Sequence, residues 1–298
     1  MLRQATDTMA SATDKLGRAA AEAFTLELIV FDLDGTLLNA EHRISSFTAE
    51  TLGLLAERNI AYTVATGRNL HSAQEIIHGH GFRLPHIYIN GVLVWDPGSA
   101  SLSLGNFLSR AEADHVMTAA LSAGVTPFVH CVTPEHHHYI YHPPVLHDHE
   151  QRLLDMFYSR LATNVKSLSG MPLNVQVTNI SMLGKRAQIG AVELNIANEK
   201  HLVAYSGMAM EKNDLMWMDI HHSLASKGNA LSQLNTQLGV SRVICFGDSD
   251  NDLSMFAMAD ESYAPSNARD AVKAAATGVI GHHDQDGIAR YLRERFSL

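Results

Sequence analysis

Residues Leu26-Glu27-Leu28-Ile29-Val30-Phe31-Asp32-Leu33-Asp34-Gly35-Thr36 decide the fold of this chain. The first six are largely apolar and predict a buried β-strand. The strand ends by presenting the carboxylates of Asp32 and Asp34 on one side, because residues two apart in an extended segment point the same way. Two like charges held together repel each other and bind a hard cation well. Gly35 allows the backbone to turn, and Thr36 adds a hydroxyl. Taken alone, the pattern would also fit a strand that runs into an acidic turn.

Two further stretches repeat this arrangement of a short apolar strand followed by polar groups. Ala61-Tyr62-Thr63-Val64-Ala65 precedes Thr66-Gly67-Arg68, and Val243-Ile244-Cys245-Phe246 precedes Gly247-Asp248-Ser249-Asp250-Asn251-Asp252. Near-continuous apolar strands separated by helices are typical of a parallel sheet that is buried on both faces. Such open sheets bind ligands beyond the carboxyl ends of their strands. We therefore expect all three polar clusters to lie at one edge of the sheet.

Composition narrows the classes of protein to which the chain can belong. Its 298 residues suit two domains, and an apolar content of 46% supports a well-buried interior. The net charge of −9 argues against nonspecific binding to nucleic acid or to an anionic membrane, although a local cation site could still bind a small phosphorylated substrate. The only cysteines are Cys131 and Cys245, and because Cys245 lies in a predicted core strand, a disulfide framework is disfavoured and a reducing cytoplasm fits. No apolar stretch approaches the roughly 20 residues needed to span a bilayer.

The chain resembles the haloacid dehalogenase-like phosphatases, and most closely their Cof-type branch with a large C2-type cap. The resemblance covers about residues 25 to 298. Four motifs carry it in this order: Asp32-Leu33-Asp34-Gly35-Thr36, Thr66-Gly67-Arg68, Lys227 in Ser226-Lys227-Gly228-Asn229, and Gly247-Asp248 through Asn251-Asp252. Each motif alone is common, whereas all four in order, three of them at strand ends, are specific. One departure is Pro265-Ser266-Asn267-Ala268, which stands where the family usually has a Gly-Asn-Ala step.

The resemblance implies an α/β fold with a Rossmann-like parallel-sheet core and an inserted α+β cap domain. We expect the core at residues 25–108 and 222–298 and the cap at residues 109–221. Residues 1–24 contain no apolar signal segment and are expected to form a flexible N-terminal extension.

Periodicity along the chain predicts the remaining elements. The predicted helices cover 45–58, 70–80, 110–123, 227–238, 253–259, 268–276 and 286–296, with a further one near 150–161. The predicted strands cover 126–132, 138–142, 181–183 and 215–220, after a strand series over 88–108 with a turn at Asp96-Pro97-Gly98.

For the acidic motif residues, the resemblance implies the chemistry of phosphate-ester hydrolysis. Asp32 would be the nucleophile that forms an aspartyl-phosphate, and Asp34 would protonate the leaving alcohol and later activate water. Because two neighbouring carboxylates are costly to ionise together, one of them can hold a proton. The cofactor Mg²⁺ would be held by the Asp32 carboxylate, the backbone carbonyl of Asp34 and Asp248.

The other motif residues are expected to bind phosphate or to supply charge. Thr66 would donate its hydroxyl to the phosphoryl oxygens, together with nearby backbone N–H groups such as that of Gly67. Lys227 would supply positive charge to the nucleophile and to the phosphoryl group in the transition state. Asn251 would contact phosphate, while Asp252 would fix Lys227 or a metal-bound water.

Several polar residues allow more than one interpretation. Arg68 could bind substrate phosphate or form a salt bridge, and Asn90-Gly91 could border the substrate cleft or form a hairpin turn. His138 and His142 share one face of a predicted strand, where we favour a solvated face or contact with substrate over a metal site. These two belong to a group that crowds the predicted cap: His130, His136, His137, His138, His142, His147 and His149.

The sequence therefore predicts a magnesium-dependent phosphatase, with sugar phosphates, pyridoxal and related vitamin phosphates, and nucleotides as open substrate classes. A phosphomutase is an alternative, because it would use the same aspartyl-phosphate and return the group to substrate. A non-catalytic phosphate-sensing module would be favoured by the loss of Asp32, Asp34 or Lys227, and all three are present. Dinucleotide binding is disfavoured because no G-x-G-x-x-G follows the first strand. The oligomeric state is not predicted.

Overall fold

A computed structural model describes residues 26–133, 137–155, 164–209 and 214–298. These ranges form three β-sheets with helices packed against them. The predicted N-terminal extension lies outside the described residues, as does the part of the helix predicted near 150–161 that follows residue 155. Within the described ranges, no helix is long and apolar enough to cross a membrane.

Strands and helices alternate in the first and last parts of the chain. The strands are β1 Glu27–Phe31, β2 Ala61–Val64, β3 His86–Tyr88, β4 Leu93–Asp96, β5 Ser101–Leu104, β6 Phe128–Val132, β7 His138–His142, β8 Val165–Ser167, β9 Gln176–Lys185, β10 Leu202–Met208, β11 Leu215–His222, β12 Arg242–Phe246, β13 Glu261–Pro265 and β14 Gly278–Ile280. The α-helices are α1 Ser46–Glu57, α2 Leu70–Ile77, α3 Arg110–Ser122, α4 Asp148–Leu153, α5 Arg186–Ile196, α6 Lys227–Leu238, α7 Leu253–Phe256, α8 Asp270–Ala275 and α9 Gly287–Phe296.

The first sheet has five parallel strands in the order β14-β13-β12-β1-β2. Alternate residues of β1 enter two different apolar clusters, with Phe31 on one face and Val30 on the other, and both are fully buried. Phe31 pairs with Phe246 of β12 and with Val64 of β2, so the carboxyl ends of these three strands meet at one edge. The predictions of a sheet buried on both faces and of one shared edge are confirmed.

A second sheet of six strands, which we call the cap sheet, has the order β10-β11-β9-β6-β7-β8. Its residues all lie between β5 and α6 in sequence, so it interrupts the strands of the five-stranded sheet. One face packs on α3 and α5 through residues such as Val116, Ile180 and Val192. The opposite face, which we call the inner face, carries polar side chains such as those of His130 and His221. The predicted α/β core with an inserted α+β cap is confirmed, whereas the domain boundaries stay predictions.

The third sheet has the order β3-β4-β5 and joins the five-stranded sheet through a parallel bridge between Ala65 and Ile87. Its second turn lies at the predicted Asp96-Pro97-Gly98, where the Gly98 N–H donates to Asp96 Oδ1 at 2.9 Å. Its first turn, between β3 and β4, contains Asn90-Gly91. Both turns therefore connect antiparallel strands.

Most predicted elements are present, and the differences fall in the cap and in the last part of the core, where strands β13 and β14 were not predicted. Strand β9 runs over ten residues, whereas only 181–183 was predicted. Helix α5 and strands β8 and β10 were not predicted. The signal for α5 was present, because Ile189, Val192 and Ile196 are buried and spaced to share one face of a helix.

Glu261, at the start of β13, links that strand to β12 and α9. Its carboxylate accepts hydrogen bonds from Arg295 at 2.7 and 2.9 Å and also pairs with Arg242. Burial alone would raise the pKa of Glu261, but hydrogen bonds from Arg295, Tyr263 and Arg242 lower it to about 2. Because the folded-state pKa is depressed, the stabilisation is present above the unfolded-state pKa and is lost as the pH falls through the folded-state pKa.

Replacing Glu261 by Gln should therefore lower the free energy of unfolding by about 1–3 kcal/mol at pH 7. The difference from the unmodified protein should shrink steadily as the pH is lowered from 5 towards 3. Urea unfolding at several pH values measures it, with Glu50→Gln as the control, because Glu50 pairs with Arg293 but is largely exposed. A difference that stayed constant with pH would contradict this account.

Candidate active site

The centre of the site is a buried lysine between two buried carboxylates. Asp32 directly follows β1, and its N–H donates to the Phe246 carbonyl at 2.9 Å, which fixes it beside β12. Lys227 is the first residue of α6, whose N-cap is Ser226. Its Nζ lies 2.6 Å from Asp32 Oδ1 and 2.6 Å from Asp252 Oδ1. The side chains of Lys227 and Asp252 are fully buried.

The charges of this group depend on one another. Burial raises the pKa of Asp32 well above its usual value; Lys227 opposes that rise, whereas Asp252 and Asp248 add to it. Burial would lower the pKa of Lys227, but Asp252 and Asp32 outweigh it and raise that pKa above its usual value. The lysine therefore remains an ammonium ion, and it is the positive charge that favours ionised Asp32.

Asp252 uses both of its carboxylate oxygens within the protein. One accepts from Lys227, and the other accepts from the N–H groups of Asp248 and Ser249, each at 2.9 Å. Gly247 makes this close packing possible, because a Cβ there would lie 2.5 Å from the Asp252 side chain. Asp252 thus fixes the lysine and the loop after β12 at the same time.

Asp32 and Asp248 fit a hard cation. With Asp252, they can each offer an oxygen within 4.8 Å of the others. Because Asp252 is already fully used, Asp32 and Asp248 are the available donors. Thr36 donates to Asp248 Oδ1 at 2.9 Å, and burial together with the charge of Asp252 raises the pKa of Asp248 to about 6. Crowded carboxylates of this kind gain from a divalent cation, and an all-oxygen donor set suits magnesium.

Asp34 lies outside that cluster, in a separate ion pair. Arg68 donates to it from Nε and Nη2, both at 2.6 Å, and His42 Nδ1 lies 3.0 Å from Oδ1. Burial alone would raise the pKa of Asp34, but Arg68 and His42 outweigh it and lower the pKa. Of the two carboxylates in the first motif, Asp32 therefore has the raised pKa and Asp34 the lowered one. Arg68 forms the salt bridge that was one of its two predicted interpretations.

The backbone turn that follows the two carboxylates of the first motif is held by Asn267. Its Nδ2 donates to the Gly35 carbonyl at 2.8 Å, and its Oδ1 accepts from the N–H of His283 at 3.1 Å. Gly35 has φ +74°, and a Cβ there would lie 2.5 Å from Asp248 Oδ2. The sequence departure at residues 265–268 thus leaves an asparagine that still contacts the first motif.

The second motif and the Asn90-Gly91 turn form one unit. Thr66 is buried, and its Oγ1 accepts from the Arg68 N–H at 3.1 Å. The N–H of Asn90 donates to the Thr66 carbonyl at 3.0 Å, and a Cβ on Gly67 would lie 3.3 Å from the Asn90 side chain. Gly91 has φ +101°, and a Cβ there would lie 2.4 Å from the Ser226 carbonyl. Asn90-Gly91 is therefore a hairpin turn and also packs against the site.

The Asn90 side chain joins this unit to the fourth motif and to the cap. Asn251 Nδ2 donates to Asn90 Oδ1 at 2.9 Å, and Asn90 Nδ2 lies 3.2 Å from Nε2 of His221 in β11. Thr66, Asn251 and Lys227 thus border one region at the carboxyl edge of the five-stranded sheet.

The haloacid dehalogenase-like hydrolase family matches residues 29–292 of this sequence. The chain belongs to the haloacid dehalogenase-like hydrolases. The predicted membership is confirmed, and so is the prediction that the chain is an enzyme of this hydrolase class.

Relatives of this hydrolase include proteins named as phosphatases. A 5-amino-6-(5-phospho-D-ribitylamino)uracil phosphatase of Bacillus subtilis is 28% identical over 274 residues, which cover 91% of this chain and 98% of the relative. An HMP-PP phosphatase of Serratia proteamaculans is 26% identical over 270 residues, which cover 89% and 94%. The structure of a haloacid dehalogenase-like hydrolase from B. subtilis matches with a TM-score of 0.72 at 24% identity and covers 89% of this chain and 98% of its own.

Two histidines of this hydrolase contact the site although no motif marks them. His42 contacts Asp34, and His221 contacts Asn90. His42 has φ +57°, so it lies in a tight turn whose direction a sequence pattern does not reveal. The alternation of polar and apolar residues in β11 could have placed His221 on the inner face of the cap sheet, but not against Asn90.

Three of the predicted cap histidines, His130, His138 and His142, lie on the inner face, and they do not group with the acidic residues. His138 Nε2 lies 3.2 Å from His130 Nδ1, and His142 Nδ1 lies 2.6 Å from the Pro143 carbonyl. Burial lowers the pKa of His130 to about 3 and that of His138 to about 4, so both are neutral near pH 7. Among the described residues, the one group of metal-binding side chains is the acidic cluster, and His136 lies outside those residues.

Replacing Lys227 by Met should lower the free energy of unfolding by about 3–5 kcal/mol, because it leaves Asp32 and Asp252 buried without their cation. Adding Asp252→Asn should recover part of this loss, since the amide oxygen can still accept from the backbone while one negative charge is removed. Urea unfolding measures both variants, and Lys273→Met is the control because its partner Asp270 is fully exposed. Wild-type stability of Lys227→Met would show that the lysine does not neutralise the pair.

Proposed function

We propose that this chain is a magnesium-dependent phosphatase that hydrolyses a small phosphorylated metabolite through an aspartyl-phosphate on Asp32. The observation that carries the proposal is the buried Lys227 ammonium between Asp32 and Asp252. It lies at the sheet edge where Asp248 can bind a cation and Asn251 can bind phosphate. Asp32, Asp248 and the Asp34 carbonyl would hold magnesium. When bound, the cation would neutralise negative charge on the phosphoryl group.

Asp32 is the nucleophile of the proposed reaction. One of its oxygens accepts from Lys227, and the other attacks phosphorus. The bond from phosphorus to the leaving oxygen breaks as the bond to Asp32 forms, and Asp34 gives its proton to the leaving oxygen. A water then attacks the aspartyl-phosphate, gives a proton to Asp34, and releases inorganic phosphate and free Asp32.

The ion pair of Asp34 suits the second of these steps. Arg68 and His42 hold Asp34 ionised, which is the form that accepts a proton from water. For the first step, Asp34 must leave Arg68 and take up a proton. Thr66, the Gly67 N–H, Lys227 and Asn251 supply the hydrogen bonds that hold the phosphoryl oxygens.

We propose that the inner face of the cap sheet determines which substrate the enzyme accepts. We propose that His138 and His142 contact the leaving group, since both lie on this face in β7. Phosphorylated ribitylaminouracil and HMP-PP, after which relatives are named, join sugar, pyridoxal and nucleotide phosphates as the first substrates to test. Release of inorganic phosphate, rather than its return to substrate, would distinguish the proposed phosphatase from a phosphomutase. A cytoplasmic location is part of the proposal, because Cys131 and Cys245 are buried and free.

Replacing Asp32 by Asn should abolish turnover and leave the fold intact, because an amide does not form the acyl-phosphate. Asp34→Asn should reduce kcat by about 10²- to 10⁴-fold through loss of proton transfer. Phosphate release with an aryl phosphate measures both, circular dichroism checks folding, and the exposed Asp270→Asn is the control. Normal turnover by folded Asp32→Asn would rule out the proposed nucleophile.

Activity should require a divalent cation, with magnesium the most effective. Calcium should bind but support little turnover, because its looser and larger coordination shell would misplace the attacking carboxylate. The measurement is phosphate release after treatment with a chelator, followed by titration with each cation. Full activity in the thoroughly chelated enzyme would contradict the proposed metal site.

A further inference from the structure

A chain of hydrogen bonds leads from the proposed phosphate-binding residue into the cap sheet. Asn251 Nδ2 lies 2.9 Å from Asn90 Oδ1, and Asn90 Nδ2 lies 3.2 Å from His221 Nε2. Asn251 follows β12 and Asn90 lies in the turn after β3, whereas His221 belongs to β11 of the cap sheet. The three side chains therefore connect the two parts of the molecule at the site itself.

The Asn90 side chain has little freedom to find other partners. It is almost fully buried, its backbone has the left-handed φ of +50°, and its amide packs against Gly67. Within the described ranges, its side-chain hydrogen bonds are those to Asn251 and His221. What fixes the direction of the Asn90 amide must therefore be one of these two neighbours.

The Asn90 amide nitrogen faces His221 Nε2, and this ring nitrogen can accept from Asn90 only when it carries no proton. The His221 ring is fully buried, and burial lowers its pKa, so the ring is neutral. The neutral tautomer that accepts at Nε2 carries its proton on Nδ1. Backbone groups of His222 and Ala225 partly offset this lowering of the pKa, and among the described residues Nδ1 has no hydrogen-bond partner.

Once Asn90 donates to His221, the polarity of the rest of the chain is set. Asn90 must then point its carbonyl oxygen at Asn251, and Asn251 must donate to this oxygen from its NH₂ group. One proton of that NH₂ group is used by Asn90, and the second remains for a phosphoryl oxygen. If Asn90 turned its amide over, Asn251 would turn as well and would place a carbonyl oxygen where the phosphate binds. The partial negative charge of the Asn251 carbonyl oxygen would then repel the negatively charged phosphoryl oxygen.

We propose that His221 is a positioning residue, which through Asn90 sets the direction in which Asn251 presents its amide to the phosphoryl group. This inference rests on the proposed phosphatase function. Because His221 lies on the cap sheet, the phosphate-binding amide has its productive direction only while β11 is docked against the Asn90 turn. The cap thus contributes to phosphate binding as well as to substrate choice.

A double-mutant cycle tests the proposal, with p-nitrophenyl phosphate as substrate and inorganic phosphate as inhibitor. His221→Leu should lower kcat/KM and weaken inhibition by phosphate, each by about 10- to 100-fold, as expected for one lost hydrogen bond to a charged group. In the Asn251→Ala background, the same His221→Leu change should alter both constants by less than about 2-fold, because the amide that His221 directs is absent. Equal losses in the two backgrounds would overturn the proposal.

A conservative variant provides the second measurement. His221→Gln can place an amide oxygen near the position of Nε2, so it should recover most of the phosphate inhibition that His221→Leu loses. His115→Leu, on the outer face of the cap, is the matched control and should behave like the unmodified protein, because His115 is partly exposed and faces Glu199. If His221→Leu does not fold, inhibition by phosphate is compared between His221→Gln and Asn90→Leu. Poor phosphate binding by a folded His221→Gln would contradict the proposal. Failure of the unmodified protein to hydrolyse p-nitrophenyl phosphate would instead contradict the proposed function, which keeps the two claims separate.

Discussion

The pairing of Lys227 with two buried carboxylates is the constraint on which the rest of the site depends. A buried ammonium must be paired, and here its partners come from the end of β1 and from the turn after β12. Asp32 and Lys227 are 195 residues apart in sequence, so their pairing joins the two parts of the chain that build the five-stranded sheet. Asp252 then uses its second oxygen to hold the loop that carries Asp248. The proposed cation site and the proposed nucleophile are therefore both positioned by the pairing with Lys227.

A second constraint acts on the side of the site that faces the cap. The Asn90-Gly91 turn packs against the Thr66 loop, the start of α6 and the cap strand β11, and there is no room for a larger residue at Gly91. The acidic cluster is held together by charge, whereas this side of the site is held together by neutral amides. The direction of the amide hydrogen bonds matters more here than their strength. In the proposed reaction, the acidic cluster makes and breaks bonds, and the amides orient the phosphoryl group.

The sequence predicted the parts of this arrangement that follow from local pattern. Apolar runs that end in polar groups indicated a parallel sheet, and the edge of that sheet brought Asp32, Asp248 and Thr66 together as expected. It could not predict partners that depend on tertiary packing: Asn90 and His221 are 131 residues apart, and the Asn-Gly pair and the alternation in β11 do not indicate that the two side chains meet. The sequence also left open which carboxylate of the first motif would hold a proton. That depends on burial and on Arg68, because the arginine lowers the pKa of Asp34 while burial raises that of Asp32.

The central claim is that Asp32 becomes phosphorylated during the reaction. Rapid acid quenching of the enzyme within its first turnover of a ³²P-labelled phosphate ester, followed by peptide mapping, tests this claim most directly. We expect acid-stable, base-labile label on the peptide that contains Asp32, with an amount that rises and decays as phosphate is released. Label on a different residue, or phosphate release at full rate without any labelled protein in the first turnover, would contradict it.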